Sequence, residues 1–364
     1  MTKVRQLALL PPQLVFDDFI EELTAAHRAL AQLDTLLTQT PNPKIFERTF
    51  MTKEAVLSSR IEGIVATLSE ILDYDAGAEL PTHELCEDAR EIVNYRQTLI
   101  EGIAALDSQP IAENLIKYLH GILLHSTRGA NRSPGEFRNH VVYIGRAGVT
   151  IENATYVPPE PQQVIPLFQN LLHYIHNMPE RDELIRIAVI HYQFEAIHPF
   201  SDGNGRMGRL LITLLLHERK LLKYPYLYLS EYFEAHRQEY YERLRDVSYD
   251  DAWSEWIRFF LSGIAEEATR GRQTAQTVAD LHRDLQGKFV KLSSEYGLPL
   301  LEALFQRPIF TVPLIREQVG LTNIQTGYTL IEKLLTAGII VDITPSRQRG
   351  KRYEFSALLN LVHS

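Results

Sequence analysis

Apolar periodicity restricts the fold of this chain more than any other feature. Over most of its length hydrophobic residues return every three or four positions, the spacing of helices that bury one face. The pattern runs from Leu14 to about Leu37 and is broken by Pro41-Asn42-Pro43. A second helix is expected over about 53–72, with Leu57, Ile61, Ile64, Val65 and Leu68 in one stripe. Further helices fit 84–105, 112–124, 161–176, 184–197, 206–220, 234–247 and 253–263. One stretch departs from this. Val141-Val142-Tyr143-Ile144-Gly145, Arg146-Ala147-Gly148 and Val149-Thr150-Ile151 form a β-branched run, a glycine turn and a second β-branched run, which predicts a hairpin. The fold class is mainly α, with this hairpin inserted.

Beyond a polar helix over about 265–296 the character changes. Three short helices are expected at 300–305, 313–319 and 325–337, then strands at 339–343 and 352–355 joined by an Arg- and Gly-containing turn. Three helices followed by a hairpin is a winged helix-turn-helix pattern. At 364 residues the chain exceeds one ordinary core. We therefore expect an N-terminal helical region (1–110), a core (111–265), a linker helix (266–298) and a winged-helix domain (299–364). A net charge of −9 argues against nucleic-acid binding by the surface at large. The tail alone carries 7 Lys or Arg against 5 Asp or Glu, with Arg347, Arg349, Lys351 and Arg352 clustered at the expected wing. Its candidate recognition helix, 323–337, has one Lys and one Glu, which is weak for DNA. The lone Cys86 excludes an intramolecular disulfide and a multi-cysteine zinc site. No signal-peptide pattern and no stretch of roughly 20 apolar residues occurs, so no membrane partner is expected and the cytoplasm is the expected compartment.

The chemistry concentrates in His198-Pro199-Phe200-Ser201-Asp202-Gly203-Asn204-Gly205-Arg206-Met207-Gly208-Arg209. An apolar helix delivers a histidine at its end, a loop with two glycines follows, and another apolar helix begins. Glycines at a helix start let backbone N–H groups converge on an anion, with the helix dipole behind them. Arg206 and Arg209 can grip phosphate oxygens bidentately. Asp202 is a hard oxygen ligand suited to Mg²⁺, and His198 is a base at neutral pH. Rival readings fit less well. Gly203-x-Gly205-x-x-Gly208 matches the dinucleotide fingerprint, which must follow a strand, whereas a helix and His-Pro precede it here. His191 and His198 lie about 10 Å apart on a helix, too far to share a metal. Glu195-x-x-His198 is half of a di-iron motif without its second half. A plain polar turn explains Asp-Gly-Asn-Gly but leaves the histidine, Phe200 and both arginines unaccounted for.

This segment resembles the signature of the Fic (filamentation induced by cAMP) family: His, any, Phe, any, Asp or Glu, Gly-Asn-Gly-Arg, two of any kind, Arg. Every fixed position is met. The resemblance covers about residues 10–265 and implies a Fic-type helical bundle with a β-hairpin flap. It further implies that His198 takes the proton from a Ser, Thr or Tyr hydroxyl of a target protein. That hydroxyl attacks the α-phosphate of ATP. Asp202 would hold Mg²⁺, and Gly203, Asn204 and Gly205 would cradle the phosphates, with Asn204 on the α-phosphate. Arg206 would contact the β-phosphate and Arg209 the γ-phosphate, while Phe200 anchors the loop in the core. Ser133-Pro134-Gly135-Glu136-Phe137-Arg138 with the hairpin is similar to the family's flap, which implies target docking along Tyr143, Ile144, Gly145, Val149 and Thr150. Tyr240 and Tyr241 fall where the family places aromatic contacts to the base.

Ser58-Ser59-Arg60-Ile61-Glu62-Gly63 is similar to the family's inhibitory pattern of Ser or Thr, three residues, Glu, then Gly or Asn. Ser58 and Glu62 are four apart and adjacent on a helix. A carboxylate paired to Arg209 would remove the γ-phosphate's partner and repel that phosphate. The expectation is an autoinhibited protein adenylyltransferase using ATP and Mg²⁺, with self-modification and a homodimer left open. Two alternatives stand beside it. One is a hydrolase in which Glu62 orients water to remove AMP. The other is a nucleotide-sensing transcription regulator that binds DNA through its tail.

Overall fold

The computed structural model describes residues 7–363 except 146, 147, 149 and 294. Fifteen α-helices are formed among them: α1 (Ile20–Gln39), α2 (Lys44–Ile61), α3 (Leu68–Asp75), α4 (His83–Leu106), α5 (Glu113–Leu123), α6 (Pro161–His176), α7 (Glu183–Ile197), α8 (Asn204–Glu218), α9 (Ser230–Ala235), α10 (Arg237–Asp250), α11 (Trp253–Leu292), α12 (Gly297–Gln306), α13 (Val312–Val319), α14 (Ile324–Thr336) and α15 (Ser356–His363). Among the described residues no helix is long and apolar enough to cross a membrane.

The helix α7 is apolar on all sides and almost entirely buried, as such a pattern requires. With α8 it forms the centre of the bundle, and α2, α4, α10 and α11 pack around the pair. At 40 residues, or about 60 Å, α11 is the longest element. It runs without interruption across position 265, so the expected boundary between core and linker falls inside one helix. The α1 stripe of Leu23, Ala26, Leu30, Leu33 and Leu37 packs along it.

The expected helix over 53–72 is two helices. It begins earlier, at Lys44 just after Pro43, and stops at Ile61. Gly63, at φ +85°, donates its N–H to Arg60 O at 2.9 Å, and Ile64 N–H donates to Ser59 O at 3.1 Å. These are the paired bonds of a Schellman end. A new start follows, in which the Thr67 hydroxyl and Glu70 carboxylate cap α3 reciprocally. Glu62 is therefore the C-cap residue of α2, and Val65 is 70% exposed rather than part of a docking stripe.

After α11 come α12, β1 (Ile309–Thr311), α13, α14, β2 (Val341–Asp342), β3 (Arg352–Glu354) and α15. The three strands form an antiparallel sheet in the order β1-β3-β2, with Phe310 opposite Tyr353 and Asp342 also opposite Tyr353. The three helices and the two later strands lie where expected, and β1 and α15 are additional. This region is fastened to the bundle by Arg352–Asp73 at 3.1 Å and His282–Glu302 at 2.8 Å.

Candidate active site

The helix α7 ends by placing His198 itself in the left-handed conformation, at φ 50°. The exposed carbonyls at this helix end are gathered by Arg138, which donates to His198 O at 2.7 Å and to Ile197 O at 3.2 Å. A buried cation at a helix C-terminus also matches the dipole. The His198 Nδ1–H donates to Glu195 O at 3.3 Å. A carbonyl only accepts, so Nδ1 carries the proton and Nε2 keeps its lone pair. Burial, with the nearby Arg138 charge, pushes the His198 pKa down to about 4. At neutral pH the imidazole is an unprotonated base.

The loop after His198 is rigid by construction. Phe200 is fully buried and its ring stacks on His120 at 3.7 Å. His120 Nε2–H donates to Asp202 O at 2.9 Å, and its Nδ1 accepts from Gly135 N–H at 2.8 Å, tying the loop to the 133–138 segment. Asn204 is buried, and its side chain accepts from Phe200 N–H at 2.8 Å and donates to Phe200 O at 2.9 Å. The Asn204 amide thus staples the loop, with one N–H and one lone pair left over. Gly203, at φ +74°, is the N-cap of α8. Gly205 lies in the first turn, where an added Cβ would overlap Glu62 Oε1. The Asp202 side chain is half exposed and its Oδ1 accepts from Gly203 N–H at 2.6 Å.

The two signature arginines are buried and both are engaged. Arg206 donates to Glu91 at 2.7 Å and has Asp202 at 3.8 Å. Arg209 donates through Nε to Ser58 Oγ at 2.9 Å, and through its terminal nitrogen to Ser58 O at 2.9 Å and Glu62 Oε1 at 2.7 Å. Burial alone would raise the Glu62 pKa; the charge and hydrogen bond of Arg209 overcome it and hold the carboxyl low. Burial likewise works against the Arg209 charge, and Glu62 outweighs it. The spacing of Ser58 and Glu62 thus meets one guanidinium from a helix end rather than from a continuous helical face.

A cleft opens beside Glu62, lined among others by Ile144, Tyr192, Glu195, Tyr241 and Ser248. Tyr241 is partly exposed at its wall, but Tyr240 is buried and its hydroxyl donates to His191 Nε2 at 2.9 Å. Tyr240 is a core residue and does not line this cleft. In the flap, Ile144 pairs antiparallel with Tyr156, N–H to O at 2.8 Å. The return arm is therefore 155–156; Thr150 instead leads into a short 3-10 turn, Ile151–Asn153. Tyr143 and Gly145 flank Ile144 on the extended arm, and Val149 lies outside the described residues. Among the described residues no three His, Cys, Asp or Glu side chains converge as a metal site. Sequence reasoning missed Glu91 and His120. Each belongs to an ordinary helical stretch, and only the three-dimensional pairing with the signature reveals it.

Residues 20–104 match the Fic/DOC family N-terminal model, and residues 110–216 match the Fic/DOC family model. A probable protein adenylyltransferase of Aquifex aeolicus is 27% identical over 191 residues, 52% of this chain and 55% of that protein. A protein adenylyltransferase Fic of Drosophila mojavensis is 33% identical over 135 residues, 36% of this chain and 23% of that protein. The chain thus spans about half or less of the length of these relatives. A Fic family protein from Desulfovibrio desulfuricans has a similar fold, with a TM-score of 0.62 at 20% identity over 95% of this chain and 98% of that one.

Proposed function

The chain belongs to the Fic/DOC family, and on that premise we propose that it is a protein adenylyltransferase held in check by Glu62. Adenylyltransferase relatives support the reaction, and the gathering of a neutral His198, a helix N-terminus and two buried arginines supports its mechanism. A hydroxyl oxygen of a target protein attacks the α-phosphorus of ATP as its proton passes to His198 Nε2. The bond from the α-phosphorus to the bridging oxygen breaks, and pyrophosphate leaves. The backbone N–H groups at the start of α8 and the guanidiniums of Arg206 and Arg209 oppose the charge on the phosphates. A half-exposed carboxylate next to an anion nest fits Mg²⁺, which keeps most of its waters and takes one or two protein ligands. Asp202 is the residue that would hold it, and bound there the ion would neutralise phosphate charge. The target would lie along the Ile144 arm, adding main-chain hydrogen bonds.

The observation that carries the restraint is the clasp on Arg209, whose donors are given to Ser58 and Glu62. A γ-phosphate can take Arg209 only by displacing a carboxylate, so ATP is left in a pose unsuited to in-line attack. We read the tail as a winged helix with a structural role. Two of its four wing cations are engaged within the protein, Lys351 by Asp342 at 2.8 Å and Arg352 by Asp73, which leaves little for DNA. The test uses the Glu62→Gly protein with ATP labelled on either the α- or the γ-phosphate. Label on protein from the α-position alone is expected; label from the γ-position, or from neither, would refute the reading.

A further inference from the structure

Each signature arginine is met by one carboxylate, and the two pairs are built differently. Glu62 reaches Arg209 from the end of α2, and the Glu62 side chain is 37% exposed. Glu91 reaches Arg206 at 2.7 Å from within α4, and both of those side chains are 5% exposed. The other Glu91 oxygen accepts from Arg128 Nε at 2.7 Å. Arg128 is fixed in turn. Its terminal nitrogen donates to Asp88 Oδ1 at 2.6 Å, one turn earlier on α4. The second Asp88 oxygen accepts from Val65 N–H at 2.9 Å, three residues beyond Glu62. Glu91 thus has a guanidinium on each oxygen, and the Arg128 fork spans two carboxylates of one helix.

This difference decides which carboxylate can move. Glu62 is already partly in water and gives way to a phosphate at little cost in solvation. Glu91 cannot leave Arg206 without stranding a buried charge. Its grip also takes one nitrogen only. Arg206 gives Nη1 to Glu91, while Nη2 stands 3.8 Å from Asp202 Oδ1, on the half-exposed side of the loop. The Arg206 Nε is buried and has no hydrogen-bond partner. Donors therefore remain for an anion.

We propose that Glu91 is a positioning residue for the reaction, which locks the Arg206 guanidinium with Nη2 free to meet the β-phosphate of the nucleotide. The inference rests on the reading of the site given above, with Arg206 on that phosphate. An arginine held at one nitrogen loses little further freedom when an anion binds at another, so more of the attraction appears as affinity. Arg128 and Asp88 act one step further out, by keeping the Glu91 carboxylate in place.

The test is calorimetric titration of the Glu62→Gly protein with ADP and Mg²⁺, and with AMP. ADP has no γ-phosphate, so the Arg209 clasp does not enter, and AMP has no β-phosphate. Glu91→Gln keeps the size and one acceptor but loses the charge. It should raise the Kd for ADP about tenfold, the scale of one charge-assisted hydrogen bond, and leave that for AMP within about twofold. Added to Arg206→Ala, it should weaken ADP binding no further. Arg128→Gln acts from a half-exposed position without touching Arg206, and carries the test if Glu91→Gln does not fold. It should weaken ADP binding alone by about threefold, the scale of a half-exposed ion pair. Unchanged ADP binding, or equal weakening of ADP and AMP, would mean that Glu91 only holds the fold. Tighter ADP binding would mean that it competes with phosphate, and an effect that survives Arg206→Ala would mean that it does not act through Arg206. Any of these overturns the proposal and leaves the transfer reading standing. A Glu62→Gly protein that binds no ADP would overturn that reading, and this role with it.

Discussion

At the scale of single residues, the site separates groups that do chemistry from groups that hold them. His198 is neutral because burial and the Arg138 charge outweigh its Nδ1–H bond to a backbone carbonyl, which favours the charged form. Since its pKa is lowered to about 4, the base form persists as pH falls and is lost only near that value. Labelling by the Glu62→Gly protein should therefore hold from pH 8 to about 5 and decline towards 4; a decline centred at 6.5 would mean an unperturbed base. Asn204 belongs to the second group. Its sequence position beside two glycines points at phosphate, and its geometry shows an amide folded back on Phe200. Asn204→Ala should lower stability by about 1–3 kcal/mol, the cost of stranding two buried backbone groups. Thermal unfolding checks this, since a residue that only touched nucleotide would leave the melting temperature unchanged.

At the scale of elements, the apolar periodicity made the bundle legible, because α7 and α8 show by composition alone that they are buried on all sides. Where the sequence reading went astray, periodicity overrode punctuation. The stripe from Leu57 to Leu68 looked like one helix, yet Gly63 and the Thr67-x-x-Glu70 cap are a stop and a start. The break puts Glu62 at a helix end, where the chain can turn its carboxylate onto Arg209. Of the two expected flap arms only the first was legible: Ile144 pairs with Tyr156, whereas Ile151 begins a 3-10 turn where the second arm was expected. Tyr240 and Tyr241 are sequence neighbours on α10, and helical geometry sends one inward and one to the cleft; pattern alone did not choose between them. Gly63→Ala tests the element directly. No atom lies within 4 Å of the added methyl, so the cost is that of a left-handed backbone, about 1–2 kcal/mol. Melting should fall, and labelling with Glu62 intact should rise a few-fold as the end of α2 loosens. Unchanged labelling would mean that Arg209 alone holds Glu62.

At the scale of the whole molecule, burial sets opposing pH dependences. His120, His191 and His198 are pushed down to about 4, 3 and 4 by burial, so their contribution is present above about 6.5 and lost as pH falls. Glu54, Glu195 and Glu267 are pushed up to about 7, 8 and 8 by burial, so theirs is present at low pH and lost as pH rises through those values. Between about 4.5 and 6.5 the two sets offset each other. Above 6.5 only the carboxyls still titrate, so stability should fall between pH 6 and 8.5 by on the order of a few kcal/mol. A melting temperature that is constant or rises over that range would show that these carboxyls are ionised in the folded protein. The long α11 joins bundle and tail in one rod, which places the tail against α2 and α3 instead of on a free linker. The account as a whole stands on one chemistry and one restraint, and a single measurement reaches both. That measurement is transfer of label from α-labelled ATP in the wild type, in Glu62→Gly, and in Glu62→Gly with His198→Ala. About 10–100-fold stronger labelling in Glu62→Gly than in wild type, matching the loss of one charged hydrogen-bonded pair, and none in the double variant is the predicted result. Equal labelling in wild type and Glu62→Gly, or labelling that survives His198→Ala, would contradict it.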